Sequence, residues 1–432
     1  MKTKEFTQRP RRKRAEFNEK RNQRKTRTLK GEGSRTRLRM KAITGLVVLF
    51  TMSPAIWLKA QNPPIENEES TKNAAVKYLR AEASLRQSYA LPPNAAANLQ
   101  KALESPLDAE DEKLVAAADE ALVEFHHGAS LKRCDWVMSA EDGPLANTAH
   151  RGAVKELVAV AGIRARLRFR DGNIPGAMDD VLAAMAAARH LSVDGSLASV
   201  LFDYKLENSV TGVLARNLLQ LSPAQLRELA SGLNDLPSGS NLGTALVSEK
   251  LGRNELLAIA QNAKTPDELV EQLLHNVPAL QSNRELAVQI VDGCGGSLKG
   301  FVNCVDQQHF FYESWAPRFA LPPEQFEKTY KIEFDELSKT NPVVRQFTPA
   351  LPRFRWAEAD EQTRRALLQA AVATRLEGSQ ALNQHFDPYD KKPFTYTAVD
   401  GGFRLESRLT DGGIPISLLI VPSSEERKTI AK

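Results

Sequence analysis

The sequence predicts a mainly α-helical fold, built from antiparallel helical hairpins and closed by a small C-terminal β-hairpin. Three observations carry that expectation. Val154, Leu157, Val158, Ala161 and Ala165 recur at steps of three and four, which lays one apolar stripe along a helix. Asp171-Gly172-Asn173-Ile174-Pro175-Gly176 stops that helix, and a second stripe follows at Ala177, Met178, Val181, Leu182, Met185 and Ala188. Two such helices across a short turn bury their stripes against each other. Alternation typical of strands is nearly absent until Phe394–Ser407, where two short runs flank Asp400-Gly401-Gly402.

From the N-terminus, the first feature is charge. Of the 58 Lys/Arg and 53 Asp/Glu, residues 1–41 hold 17 and four, a local net of +13 within an overall +5. The rest of the chain therefore carries −8, which argues against nucleic-acid binding by the folded body. Residues 42–58 follow without a charge until Lys59. A basic stretch, an apolar run and then small residues is the pattern of a secretory signal. Lys and Arg resist translocation, so residues 1–41 are expected to form a cytoplasmic tail and everything beyond 60 to be exported, to the periplasmic or extracellular side. Seventeen residues give roughly 26 Å of helix, slightly short of a hydrocarbon core. Residues 42–60 thus read either as a signal peptide cleaved after Ala55 or Ala60, or as an anchor that tethers the protein to the membrane. Residues 61–71, with Pro63-Pro64 and an acidic run, read as a linker.

A helical domain is expected over 72–340. Ser222-Pro223-Ala224-Gln225 spells a capping box with proline in the first turn, and Pro237 ends the run it opens. Thr265-Pro266-Asp267-Glu268 sets an N-cap, a proline and first-turn acids in the same order. Residues 196–219, 244–262 and 357–377 are further strong helices. A C-terminal unit over 341–432 combines the last of these with the hairpin, and Ile414 to Val421 offers a third strand. Alone the hairpin buries too little; Ala366, Leu367, Ala370 and Ala371 give the preceding helix an apolar face on which it can pack.

Ala165 to Leu191, with Gly172 to Ala177 in its turn, resembles the helix–turn–helix of a tetratricopeptide repeat, which implies a tetratricopeptide-like array. A wider stretch to about residue 237 resembles a family of exported bacterial helical proteins without an assigned function. Its matching residues are Gly128-Ala129, Cys134-Asp135-Trp136, Glu141-Asp142-Gly143-Pro144, His150 and Arg164 to Leu167. Asp387 to Tyr396, through Gly402-Phe403, resembles the post-helix hairpin segment of type II secretion pseudopilins. The chain departs from those proteins in lacking a short leader with a Gly-Phe processing site.

Residues able to carry chemistry are few. Cys134, Asp135, Trp136 and His150 gather a thiol, a carboxylate, an indole and an imidazole in one expected loop, the kind of segment where binding residues concentrate. A nucleophilic Cys134 would need His150 folded back onto it; the structural alternative makes Trp136 a core plug. Asp203 and Glu207 stand at i and i+4, and in an apolar groove their repulsion would raise one pKa as a general acid requires. Asp179-Asp180 point in different directions on their helix and suggest nothing catalytic. Cys294 and Cys304 are a candidate disulfide, with Cys134 left over. One Glu124-x-x-His127 and the Glu271/His275 pair fall short of a dimetal helical site, so no metal or cofactor is implied. Phe310-Phe311-Tyr312, Trp315 and Phe319 form either core or a docking face. No phosphate-binding loop, dinucleotide fingerprint or nucleophile elbow occurs. The reading that follows is a non-catalytic interaction protein that binds a protein or peptide outside the cytoplasm. The alternatives are an exported hydrolase using the Cys134–His150 loop or the Asp203/Glu207 pair, and a membrane-bound assembly component.

Overall fold

A computed structural model describes residues 72–91, 95–136, 149–248 and 250–422. The basic tail, the apolar segment, the linker and Glu141-Asp142-Gly143-Pro144 lie outside the described residues.

The chain is mainly helical, with one small antiparallel sheet at its C-terminal end. Helices α1 (Ala74–Ser88), α2 (Ala95–Ala102), α3 (Ala109–Ala117) and α4 (Asp119–Ser130) precede the long pair α5 (Ala149–Arg170) and α6 (Ile174–Ser192). That pair is the expected hairpin. Asn173 caps α6 by accepting the Gly176 N–H at 3.2 Å, and Pro175 sits in the first turn, where its missing donor costs nothing. Val154, Leu157, Val158 and Ala161 of α5 and Ala177, Val181 and Ala184 of α6 are fully buried.

Helix α7 (Leu197–Asn217) packs along α6, and α8 (Pro223–Asp235) starts at the expected capping box, with Ser222 and Gln225 satisfying each other's main chain. Next come α9 (Leu242–Ser248), α10 (Lys250–Gln261), α11 (Pro266–Asn276), α12 (Arg284–Gly293) and α13 (Leu298–Trp315). Thr265 caps α11 through the Glu268 N–H at 3.2 Å, again as its sequence spells. Helices α14 (Pro323–Thr340), α15 (Pro342–Phe347) and α16 (Leu351–Glu377) complete the helical part. Helix α16 begins six residues before the expected 357, because Pro352 is accommodated in its first turn rather than ending it.

Strands β1 (Thr395–Val399), β2 (Gly402–Asp411) and β3 (Ile414–Ile420) form a meander in the order β1-β2-β3. The expected third strand is present. Asp411 pairs with Ile414, and Gly412 and Gly413 take φ of 58° and 87° between them, as a two-residue turn of mirror-image type needs.

Three apolar clusters follow. The first joins α1–α8 to the C-terminal unit: Leu367, Ala370 and Ala371 of α16 lie in it with Phe403, Leu405, Ile416 and Ile420 of the sheet. The sheet therefore buries its apolar face on α16. The second cluster holds α10–α13 with Val343, and includes Cys294 and Cys304, which stand as free thiols. The third joins α7 and α9 to Phe311, Tyr312, Trp315, Phe319 and Phe326. Most of the aromatic run is thus core, while Phe310 is 67% exposed. Among the described residues no helix is long and apolar enough to cross a membrane.

Candidate functional site

Where the second and third clusters meet, they leave a cleft of about 360 Å³. Its walls come from the start of α7 (Leu197, Ala198, Leu201), from α10 (Arg253, Glu255, Leu256) and from α13 (Val305, Gln308, His309, Tyr312). Asn276 at the end of α11, Val277 and Pro278 just after it, and Phe347 and Phe354 from the α15–α16 region close its ends. The polar groups are few and fixed. Arg253 holds Asp306 at 2.6 Å, Gln308 donates to the Tyr312 and Thr348 hydroxyls at 3.2 Å, and His309 lies 3.3 Å from Glu313. Burial raises the Glu255 carboxyl above its ordinary range. An apolar concavity with a handful of positioned polar groups is the usual build of a ligand or side-chain pocket, and its size falls in the roughly 300–1,000 Å³ range of such sites. No sequence motif marks it, since its lining is drawn from five separate segments.

Asp203 and Glu207 lie elsewhere, sealed between α6, α7 and α16. Asp203 is fully buried and Glu207 nearly so. Both Arg189 of α6 and Arg365 of α16 pair with Glu207, and Arg365 also reaches Glu361 at 2.7 Å and Asp203 at 3.9 Å. Burial alone would raise the Glu207 carboxyl, but the charges of Arg365 and Arg189 pull it below the usual range. Burial, then the charge of Glu207, pushes Asp203 up to about 7 and Glu361 well above the ordinary value. One turn away, Glu358 accepts the Tyr204 hydroxyl at 3.1 Å and the Leu242 N–H at 3.0 Å. The raised carboxyl expected of this pair is therefore present, in a closed ionic cluster that pins α6, α7 and α16 together. Neither carboxyl lines the cleft. Glu358, Glu361 and Arg365 were not singled out from the sequence, although their i, i+3 and i+7 spacing on one face of α16 was legible.

The Cys134–His150 segment resolves into two fastenings. The Asn73 side chain accepts the Asp135 N–H at 2.9 Å and donates to its carbonyl at 2.8 Å, which bolts this segment to the start of α1. Asp135 keeps its carboxylate on the surface, 3.3 Å from Arg133. Trp136 is 7% exposed, packs on Tyr78 and, at 4.7 Å between centroids, on His150, and donates its indole N–H to the His190 carbonyl. It plugs the core against α1, α5 and α6. His150 Nε2 meets Asp194 at 3.0 Å, where Ser199 and Arg151 also converge. Burial raises the Cys134 thiol far above its usual range, which is the reverse of what a nucleophile needs.

Asp180, which looked bland in the sequence, is wholly buried and tied to three cationic or ring partners. Arg164 grips both its oxygens at 3.1 Å, Arg168 meets it at 2.9 Å and His126 at 2.7 Å. Its apolar neighbours Val181 and Ala177 hid it; the basic partners were the available clue. Among the described residues no group of three or more His, Cys, Asp or Glu side chains is placed to hold a metal ion.

No family model matches the chain, and neither a curated protein nor a solved structure matches it.

Proposed function

We propose that this chain is a non-catalytic, extracytoplasmic interaction protein that binds a short apolar peptide segment of a partner protein in the α7/α10/α13 cleft. The observation that carries the reading is the cleft itself: its walls are mostly apolar and supply the burial, while Arg253, Gln308 and Asn276 are among the few polar residues that line it. Residues 42–58 serve to export the protein, either cleaved or kept as a tether with the N-terminus inside. The net −8 of the body supports a protein or peptide partner over a polyphosphate one. The hydrolase alternative loses support from the contacts its residues make. Cys134 and His150 serve different contacts, and Asp203 and Glu207 sit in an ionic cluster away from the cleft.

Selection of displayed random peptides against the protein tests the proposal. An Ala198→Trp variant, which fills the cleft from the partly exposed face of α7, serves as the control. Apolar-anchored peptides should be enriched on the wild type and lost on a variant of unchanged Tm. Peptides retained equally by both would place binding elsewhere and end this reading.

A further inference from the structure

The end of α12 and the start of α13 are pressed together more tightly than apolar packing requires. Cys294 caps α12, its N–H donating to the Ile290 and Val291 carbonyls at 3.1 Å. The chain turns through Gly295-Gly296, and Ser297 opens α13 by accepting the Gly300 N–H at 3.1 Å. A Cβ on Gly300 would lie 1.9 Å from the Cys294 carbonyl oxygen, so only glycine permits this approach. Cys304 stands four residues beyond Gly300 and so shares its helix face. The contact of Gly300 with the main chain of Cys294 therefore brings Cys304, on the same helix face, to the Cys294 side of α13; both side chains are buried in one cluster, and burial, then the neighbouring Cys304 thiol, raises the Cys294 thiol.

Helix α15 holds the pair from the side. Asn341, wholly buried, donates to the Cys304 carbonyl at 2.9 Å, and Val343 packs in the same cluster as both cysteines. Both thiols are buried in the second cluster, whereas Cys134 borders the first. Nothing in this arrangement requires Cys134 as a partner, and the inference does not depend on what the cleft binds.

We propose that Cys294 and Cys304 form a disulfide that staples α12 to α13 when the chain meets a disulfide oxidant. With oxidised glutathione, the thiolate of one cysteine attacks a glutathione sulfur, forming a mixed disulfide and expelling one glutathione thiolate. The other cysteine thiolate then attacks the protein sulfur of that bond, closing Cys294–Cys304 and expelling the second. The protein gives up two electrons, and its two thiol protons end on the two released glutathione molecules. The closed ring restricts the unfolded chain, so the oxidised protein is the more stable form. Because it fixes the base of α13, the bond also steadies Val305 and Gln308, one and four residues further on in the cleft wall.

The full chain is refolded to equilibrium in a buffer of oxidised and reduced glutathione, which removes burial as a barrier to access. It is then denatured, alkylated, weighed intact and peptide-mapped. The expected result is a loss of two hydrogens before alkylation, a single cross-link between the Cys294 and Cys304 peptides, and an alkylated Cys134. The Tm should be higher in the oxidised form than in the reduced, with the difference abolished in Cys304→Ser and in Cys304→Ala. Three alkylated cysteines, a lasting glutathione adduct at either position, or a bridge to Cys134 would overturn the proposal.

Discussion

The indole N–H of Trp136 donates to the main-chain carbonyl of His190 at 2.7 Å, across 54 residues of sequence. That carbonyl lies in the last turn of α6, where helical oxygens lack an intrahelical partner. The indole thus fills a core position and satisfies a helix end at once. Trp136→Ala should cost about 3–5 kcal/mol, read as a large drop in Tm. Trp136→Phe should retain most of the packing and lose chiefly the hydrogen bond, about 1 kcal/mol. An unchanged Tm in the alanine variant would mean that the ring is held for binding instead.

Asp203 gives a pH signature. Its folded pKa of about 7 lies above the ordinary 3.8, so between those values the folded chain keeps a proton that the unfolded chain has released. Its contribution to stability is full below pH ~4 and is lost as pH rises toward 7. His190, lowered by burial to about 4, runs the other way and loses its contribution as pH falls from 6.5. The difference between Asp203→Asn and wild type cancels the histidine and reports the aspartate together with Glu207 and Glu361, the carboxyls whose charges act with it. The variant should gain on wild type between pH 5 and pH 8 by on the order of 2 kcal/mol. Urea melts at the two pH values measure it; a pH-independent difference would show that Asp203 is ionised throughout.

A fragment beginning at residue 380 should not fold. Phe403, Leu405 and Ile420 find their apolar partners on α16, and three short strands without that helix bury too little to offset chain entropy. Dispersed, protected amide signals from the isolated fragment would contradict this placement of the sheet.

How much of this was legible beforehand depended on distance along the chain. Caps and turns are decided within four residues, so Ser222 with Gln225, Thr265 and the turn at Asp171–Gly176 could be read directly, as could the strands at the C-terminal end. The start of α16 lies six residues before the expected 357, with Pro352 in its first turn. The polar clusters were hidden by distance. Glu207 meets Arg365 across 158 residues, and Trp136 meets His190 across 54. No local pattern chooses such partners; the fold does. The cleft is the extreme case, since each of its wall segments alone looks like ordinary core.

The proposed export rests on residues 42–58, the longest uncharged apolar run in the sequence. Deleting them should leave the protein in the cytoplasm on fractionation, and the mass of the mature wild-type N-terminus should distinguish cleavage after Ala55 or Ala60 from retention. A deleted form still found outside would end the assignment.

The central claim is that the α7/α10/α13 cleft is where a peptide binds. Hydrogen exchange of the full chain, with and without a peptide enriched by display, tests it most directly. The account predicts slowed exchange confined to the segments around 197–201, 252–256 and 305–312, with the sheet unchanged. Protection centred instead on the Trp136–His150 region or on the exposed edge of β1, with those three segments unaffected, would contradict it.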